Sequence, residues 1–401
     1  MHVEADGMST LDEDAITVRS ALIIGGGIGG LASAIALRRS GIAVALVEKA
    51  TAFGEVGAGL QLGPNAMRVL FSWGLEDAIR EIAVFPDNLV ARDAITDREL
   101  SRVTLDQAFE DRYGAPYAVI HRTDLHSLLL SEAVRLGADL STATEVVSVD
   151  AAAGIAVTLD GRSLSADLVI GADGLRSSLR DALVGDRPIN SGYVAYRGTI
   201  PIADGGPIAN DVVVWMGPGG HLVQYPLRRG ELLNNVLVFR SDSFARGESE
   251  YGGVDELEER FSGCHPVVAR ALDFVGKQRR WPLFDRMPSP IWADQRLVLM
   301  GDAAHPMLQY LAQGACQALE DAEALGRVAG HAGTAMDVGA RFAAERSPRA
   351  AQVQTMARAF GELCHRSGSE AAERNEVLRS RAIDDFSAID WLYAARGGAR
   401  G

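Results

Sequence analysis

The chain reads as an α/β protein. A Rossmann-like dinucleotide-binding domain carries an inserted antiparallel-sheet domain and a C-terminal helical segment. Three observations predict this. A Gly-rich turn joins an apolar run to a helical pattern near residue 25. A second apolar run, near residue 300, ends on Gly-Asp. Between about 186 and 281 the pattern switches to alternating strands joined by turns. The expected division is a flexible acidic tail over 1–18, a discontinuous dinucleotide domain over 19–185 and 282–340, the inserted substrate-binding domain over 186–281, and helices over 341–401.

The first unit is "SALIIGGGIGGLASAIALRRSGIAVALVEKA". Residues 21–24 suit a buried parallel strand. Gly25, Gly27 and Gly30 follow in the G-x-G-x-x-G pattern. The first glycine permits the tight turn, the second lets backbone approach a pyrophosphate, and the third lets helix pack on sheet. The helix then offers free N–H groups to phosphate and stops at Gly41. A second strand ends on Glu48, placed to accept from ribose hydroxyls, with Lys49 beside it as a further cofactor-binding residue. The acid favours FAD or NAD over NADP at this site.

Bulk numbers narrow the class. The 401 residues are 47% hydrophobic and 23% charged, enough for a large core. Net charge is −14, which excludes a broad nucleic-acid surface but not a local anion pocket. Cys264, Cys316 and Cys364 are odd in number and scattered, so neither a disulfide framework nor a metal site is expected. The N-terminus lacks a basic start and an apolar run, and no segment reaches the ~20 apolar residues of a membrane span. A cytoplasmic protein is expected.

Further motifs follow in order. They are "EVGAGLQLGPNAMRVLFSWGL", with a helix opening near Pro64, then "HRTDLHSLLLSEA", "ADLVIGADGLRSSLR" and "RLVLMGDAAHPMLQYLAQGACQALEDAEAL". Asp302 falls at a strand's carboxyl end, where α/β sites are built. An N-cap is its plain alternative. Gly314 lies in the first turn of the next helix, whose amides favour negative charge. Together these motifs resemble the class A flavoprotein aromatic hydroxylases, the single-component FAD monooxygenases of the para-hydroxybenzoate hydroxylase fold. The resemblance spans nearly the whole chain. It implies that Asp173, with Gly174, Ser177 and Arg180, forms a motif shared by FAD and NAD(P)H. It also implies that Gly301 and Asp302 hold the ribityl part of FAD, and that Arg122 contacts the cofactor.

The middle segment supplies the second partner of the reaction. "GPGG" predicts a hairpin leading into "HLVQYPLR". Residues of one parity share a strand face, so His221, Val223 and Tyr225 point the same way. A hydrogen-bonded core pair and a pocket for a phenol both fit that pattern. "NSGYVAYRG", "GDAAHPMLQYLAQGA" and "AIDWLY" resemble the 3-hydroxybenzoate 6-hydroxylase subgroup most. That resemblance implies that His221, Tyr225 and Gln309 line the substrate pocket. "QGACQALED" is similar instead to a broader salicylate-hydroxylase-like pattern, which leaves the substrate open.

The implied reaction uses NADH (or NADPH) and O₂ to hydroxylate a small phenolic acid through a flavin C4a-hydroperoxide. For 3-hydroxybenzoate this gives gentisate, para to the phenol. His221 is the candidate base or hydrogen-bond acceptor. Gln309 would orient the phenol or carboxylate, and Tyr225 would donate to the carboxylate. Met307, Leu308 and Leu311 are expected to keep the flavin dry. His305 reads as structural, and "RYGAPY" as a chain turn. His2, His126, His265, His331 and His365 read as incidental. A hydroxylase of larger aromatics and a flavin-binding carrier without turnover stay open. A homodimer is the default that the resemblance implies.

Overall fold

A computed structural model describes residues 18–54, 59–205, 209–331 and 333–394. The N-terminal tail expected over 1–18 lies outside these apart from Val18, as does part of the Gly-rich stretch after Phe53.

The dinucleotide layer is a six-stranded sheet. Its order is Ala293–Asp294, Leu297–Leu299, Leu168–Gly171, Ser20–Ile24, Ala43–Val47, Asp139–Ser141. All neighbours run parallel except the first pair. The inner strands are buried on both faces, which is why they read as unbroken apolar runs. The helix Ile28–Arg39 is buried on nearly every side because the helix Gly314–Ala329 covers it. The Gly-rich turn and the Gly301-Asp302 turn thus leave the carboxyl end of the same sheet, on either side of the strand Leu168–Gly171.

The second layer is a seven-stranded sheet. Its order is Trp281–Asp285, Ile189–Pro201, Leu232–Arg240, Gly220–Leu227, Asp211–Gly217, Asn88–Asp93, Glu99–Thr104. It is antiparallel except where Asp211–Gly217 lies parallel to Asn88–Asp93. The hairpin at Gly217–Gly220 forms as the turn residues demand, with Gly219 at φ 68°. Two strands of this sheet, Asn88–Asp93 and Glu99–Thr104, come from the stretch assigned by sequence to the dinucleotide domain. Their long-range pairing leaves no local signal, since register is set across the sheet.

A 30-residue helix, Ala335–Cys364, begins before the expected boundary at 341 and spans both layers. Gly368–Arg379 and the short helix Ser387–Tyr393 follow. The last packs beside Pro64–Ser72, where Tyr393 lies against Gly63. No helix of the described residues is long and apolar enough to cross a membrane.

Candidate active site

One cavity of about 690 Å³ runs between the two layers. Its dinucleotide end is built by the Gly-rich turn. Gly25 sits at φ 113°, and a Cβ there would collide with the Ala172 carbonyl. A Cβ on Gly30 would collide with the Gly25 carbonyl oxygen, so Gly30 closes the turn from beneath and does not line the cavity. Gly29 lines it instead. The Glu48 carboxylate accepts from the Gly26 amide at 2.7 Å and the Ala50 amide at 2.8 Å, which fixes it at the cavity wall beside Lys49.

His126 is not incidental. Its Nε2 lies 2.8 Å from the Gly26 carbonyl, wholly buried, and pins the turn from the helix Arg122–Arg135. Arg122, at the start of that helix, lines the cavity. Asp173 also lines it. Its Oδ2 accepts from the Ser178 amide, its Oδ1 is buried without a partner among the described residues, and burial pushes its carboxyl pKa up. Ser177 and Arg180 turn out to be supports. Ser177 caps the helix Ser178–Leu183, and Arg180 binds Asp186 and the carbonyls of Ala304 and Met287.

The second turn is held from behind. Asp321, fully buried on the helix Gly314–Ala329, accepts from the Gly301 amide at 3.0 Å, from His305 Nε2 at 2.5 Å and from Arg346 Nε at 2.7 Å. Burial alone would raise its carboxyl pKa, but His305 and Arg346 hold it down to about 2. His305 is therefore the structural group expected. Asp302 lies inside a short 3₁₀ turn whose cap position is Met300, and Gln313 holds the cap position of the next helix, so the N-cap reading is set aside. Asp302 and Gly314 line the cavity together; a Cβ on Gly314 would lie 3.9 Å from Asp302 Oδ1.

The seven-stranded sheet supplies the far end. His221, Val223 and Tyr225 share the cavity face, as their parity requires. Tyr225 is buried with its ring against Gly59, and burial raises its phenol pKa. Gln309 lines the same end from the 3₁₀ turn Gln309–Leu311. Its Oε1 accepts from Arg197 Nη2. Met307 lines the cavity, whereas Leu308 is buried in the core with Tyr193 and the partly buried Leu311 packs against Tyr225's cluster, so neither leucine lines it. Tyr117, from "RYGAPY", donates to Gln61 at 2.6 Å, and Gln61 is itself a cavity residue.

Sequence reasoning missed three groups here. Arg197 has no carboxylate partner among the described residues, and burial lowers its pKa. It is a cation on a strand whose neighbours Val194, Ala195 and Tyr196 are buried; that mismatch was its signal. Tyr310 lines the cavity with its hydroxyl unpartnered among the described residues. His365 corrects the incidental reading outright: its Nε2 lies 2.7 Å from His221 Nδ1. Burial pushes the His221 imidazole down to about 3, so it stands neutral at working pH.

The cavity suits a dinucleotide at one end and a small polar aromatic at the other. Close-approach glycines, helix-start amides, the fixed Glu48 and the orphaned Asp173 oxygen match what a flavin dinucleotide presents. Comparison with known proteins agrees. Residues 19–357 match the FAD binding domain family model. The chain is 41% identical over 386 residues to 3-hydroxybenzoate 6-hydroxylase of Klebsiella oxytoca, covering 94% of this chain and 96% of that protein. It is 36% identical to 3-amino-4-hydroxybenzoate 2-monooxygenase of Streptomyces cremeus, covering 94% and 95%. A salicylate hydroxylase substrate complex superposes with TM-score 0.76 at 25% identity, covering 94% and 95%. Klebsiella pneumoniae HpxO, complexed with FAD and uric acid, shares the fold with TM-score 0.82 at 24% identity, covering 94% and 98%. The chain belongs to the FAD-binding flavoprotein aromatic hydroxylases and is an FAD-dependent aromatic monooxygenase.

Proposed function

We propose that this enzyme hydroxylates 3-hydroxybenzoate at carbon 6, para to the phenol, to give gentisate, with NADH and O₂ as co-substrates. One observation carries the reading. His221 and Tyr225, from one strand, and Gln309, from a distant stretch of chain, line the cavity end opposite the Gly-rich turn. Bound FAD supplies the redox and oxygen-activating chemistry; the protein's residues bind, orient and exclude water. His221 takes or shares the phenol proton, which raises electron density at the para carbon. Arg197 holds the carboxylate, because a partly buried guanidinium with its Nε buried and no carboxylate partner among the described residues favours an anion. Gln309, bonded to Arg197, fixes the direction of that contact. Tyr225 donates to the same carboxylate.

The test is NADH consumption with product identification across 2-, 3- and 4-hydroxybenzoate. Gentisate from 3-hydroxybenzoate, equimolar with NADH oxidised, is the expected result. Stimulated NADH oxidation that yields only H₂O₂ would remove 3-hydroxybenzoate as substrate. A preference for 2-hydroxybenzoate would favour the salicylate-type reading. The same proposal makes the protein a cytoplasmic homodimer, by likeness to the subgroup; sedimentation equilibrium tests the dimer.

A further inference from the structure

We propose that His365 is a positioning residue that exchanges a proton with His221, so that the pair accepts the proton of a bound phenol without holding a buried positive charge. The inference rests on the phenolic-substrate reading above. It starts from the 2.7 Å contact between His221 Nδ1 and His365 Nε2. The ring planes lie within 23° and their centroids 5.0 Å apart, as expected of rings meeting edge to edge through their nitrogens. Two neutral imidazoles bond only when they share one proton, so the tautomer of one dictates that of the other.

Each ring has one further nitrogen. That of His221 is Nε2, on a residue that lines the cavity. That of His365 is Nδ1, buried and without a hydrogen-bond partner among the described residues, in a residue only 7% exposed. His365 caps the long helix Ala335–Cys364, and its carbonyl accepts from the Gly219 amide at 3.0 Å. It is thereby tied to the hairpin that carries His221. Its other neighbours discourage charge. Tyr193 stacks on it from the strand Ile189–Pro201, and Tyr310 meets it edge-on. Glu362 and Cys364 belong to its own helix. Arg374 and Arg260 approach from Gly368–Arg379 and Val254–Ser262, and repel a second cation.

The step balances as follows. The substrate O–H bond breaks and His221 Nε2–H forms. His221 Nδ1–H breaks as His365 Nε2–H forms. His365 Nδ1–H breaks and that proton passes to a water at the end of the helix Ala335–Cys364, where His365 keeps its small exposed surface. Both rings are neutral before and after. The substrate is left as a phenolate that accepts from His221 Nε2–H.

Two variants and one spectrum test this on the FAD-loaded enzyme. His365→Gln retains a hydrogen bond to His221 but cannot pass a proton. Its kcat for hydroxylating 3-hydroxybenzoate is expected to fall about 10²-fold, the scale of lost proton transfer, with KM little changed. His365→Phe keeps the packing against Tyr193 but loses the bond, and should change KM as well. A purely structural His365 would be rescued by Gln, so an unchanged kcat in that variant overturns the relay. Independently of any substrate, ¹⁵N-histidine NMR should show coupling between the two rings across one shared proton, with no imidazolium at neutral pH. Rings that share no proton also overturn it. Failure of the parent enzyme to hydroxylate 3-hydroxybenzoate would overturn the substrate reading alone. The variants are then compared on whichever monohydroxybenzoate the parent does hydroxylate.

Discussion

At the dinucleotide end of the cavity, the wall comes from six consecutive residues, Ile24–Gly29, and two further strand ends. At the substrate end, Arg197 and Gln309 meet across 112 residues, and His221 and His365 across 144. The first end is specified by backbone: where the chain has no Cβ, and where a helix begins. The second is specified by side chains that only a sheet and a long helix bring together. Damage to the first should therefore abolish cofactor retention, while damage to the second should leave a yellow protein that works badly.

The largest effect tests the first half of that contrast. Gly30→Val sets branched carbons against the Gly25 carbonyl oxygen, where backbone cannot yield cheaply. The purified variant is expected to be colourless or insoluble, with no flavin absorbance. A variant with full FAD content would show that the turn tolerates what the geometry forbids.

Next comes His221→Ala. Hydroxylation is expected to drop about 10²-fold while FAD content stays at one per chain. Equal loss of flavin and activity would dissolve the distinction between the two ends.

The contrast also explains what could be read from sequence. Gly25, Gly27, Glu48 and the Gly301-Asp302 turn were legible because their job is local and leaves a spacing. Strand parity was enough to put His221 and Tyr225 on one face. It could not reveal His365, whose partner is set by where a 30-residue helix happens to end. The strands Asn88–Asp93 and Glu99–Thr104 escaped for the same reason, joining the second sheet through a parallel pairing to Asp211–Gly217. Leu308 and Leu311 show the converse. Apolar residues beside a motif carry no sign of which way they face, and neither of these two lines the cavity.

A smaller effect bears on Arg197, a partly buried cation at the substrate end with no carboxylate partner among the described residues. In Arg197→Gln, KM for 3-hydroxybenzoate is expected to rise about 30-fold, the scale of one charged hydrogen bond of about 2 kcal/mol. Binding of 3-hydroxybenzyl alcohol, which lacks the carboxylate, should barely move. Parallel losses for both ligands would assign Arg197 to holding Gln309 and Trp281 rather than to the anion.

The smallest effect is a slope. Burial lowers the folded pKa of His221 to about 3 and that of His365 to about 2, from an ordinary value near 6.5. Below pH 6.5 the unfolded chain takes up a proton at each imidazole that the folded chain refuses. Stability therefore falls as pH falls, beginning at the unfolded value and continuing toward pH 3. Each such group contributes about 1.4 kcal/mol per pH unit across that window. His365→Phe removes one of them. Its unfolding free energy should decline less steeply than the parent's between pH 6 and 5, by about that amount, with no difference in slope above pH 7.5. Asp321 does not confuse the comparison. Its carboxyl is held below its ordinary value, so its contribution is complete above about pH 4 and is lost only as pH falls toward 2. Urea unfolding at matched flavin concentration reads the slope directly. Identical slopes for parent and variant would mean that His365 already carries a proton when folded. A charged His365 would make the substrate end a paired ion site, no longer a neutral relay.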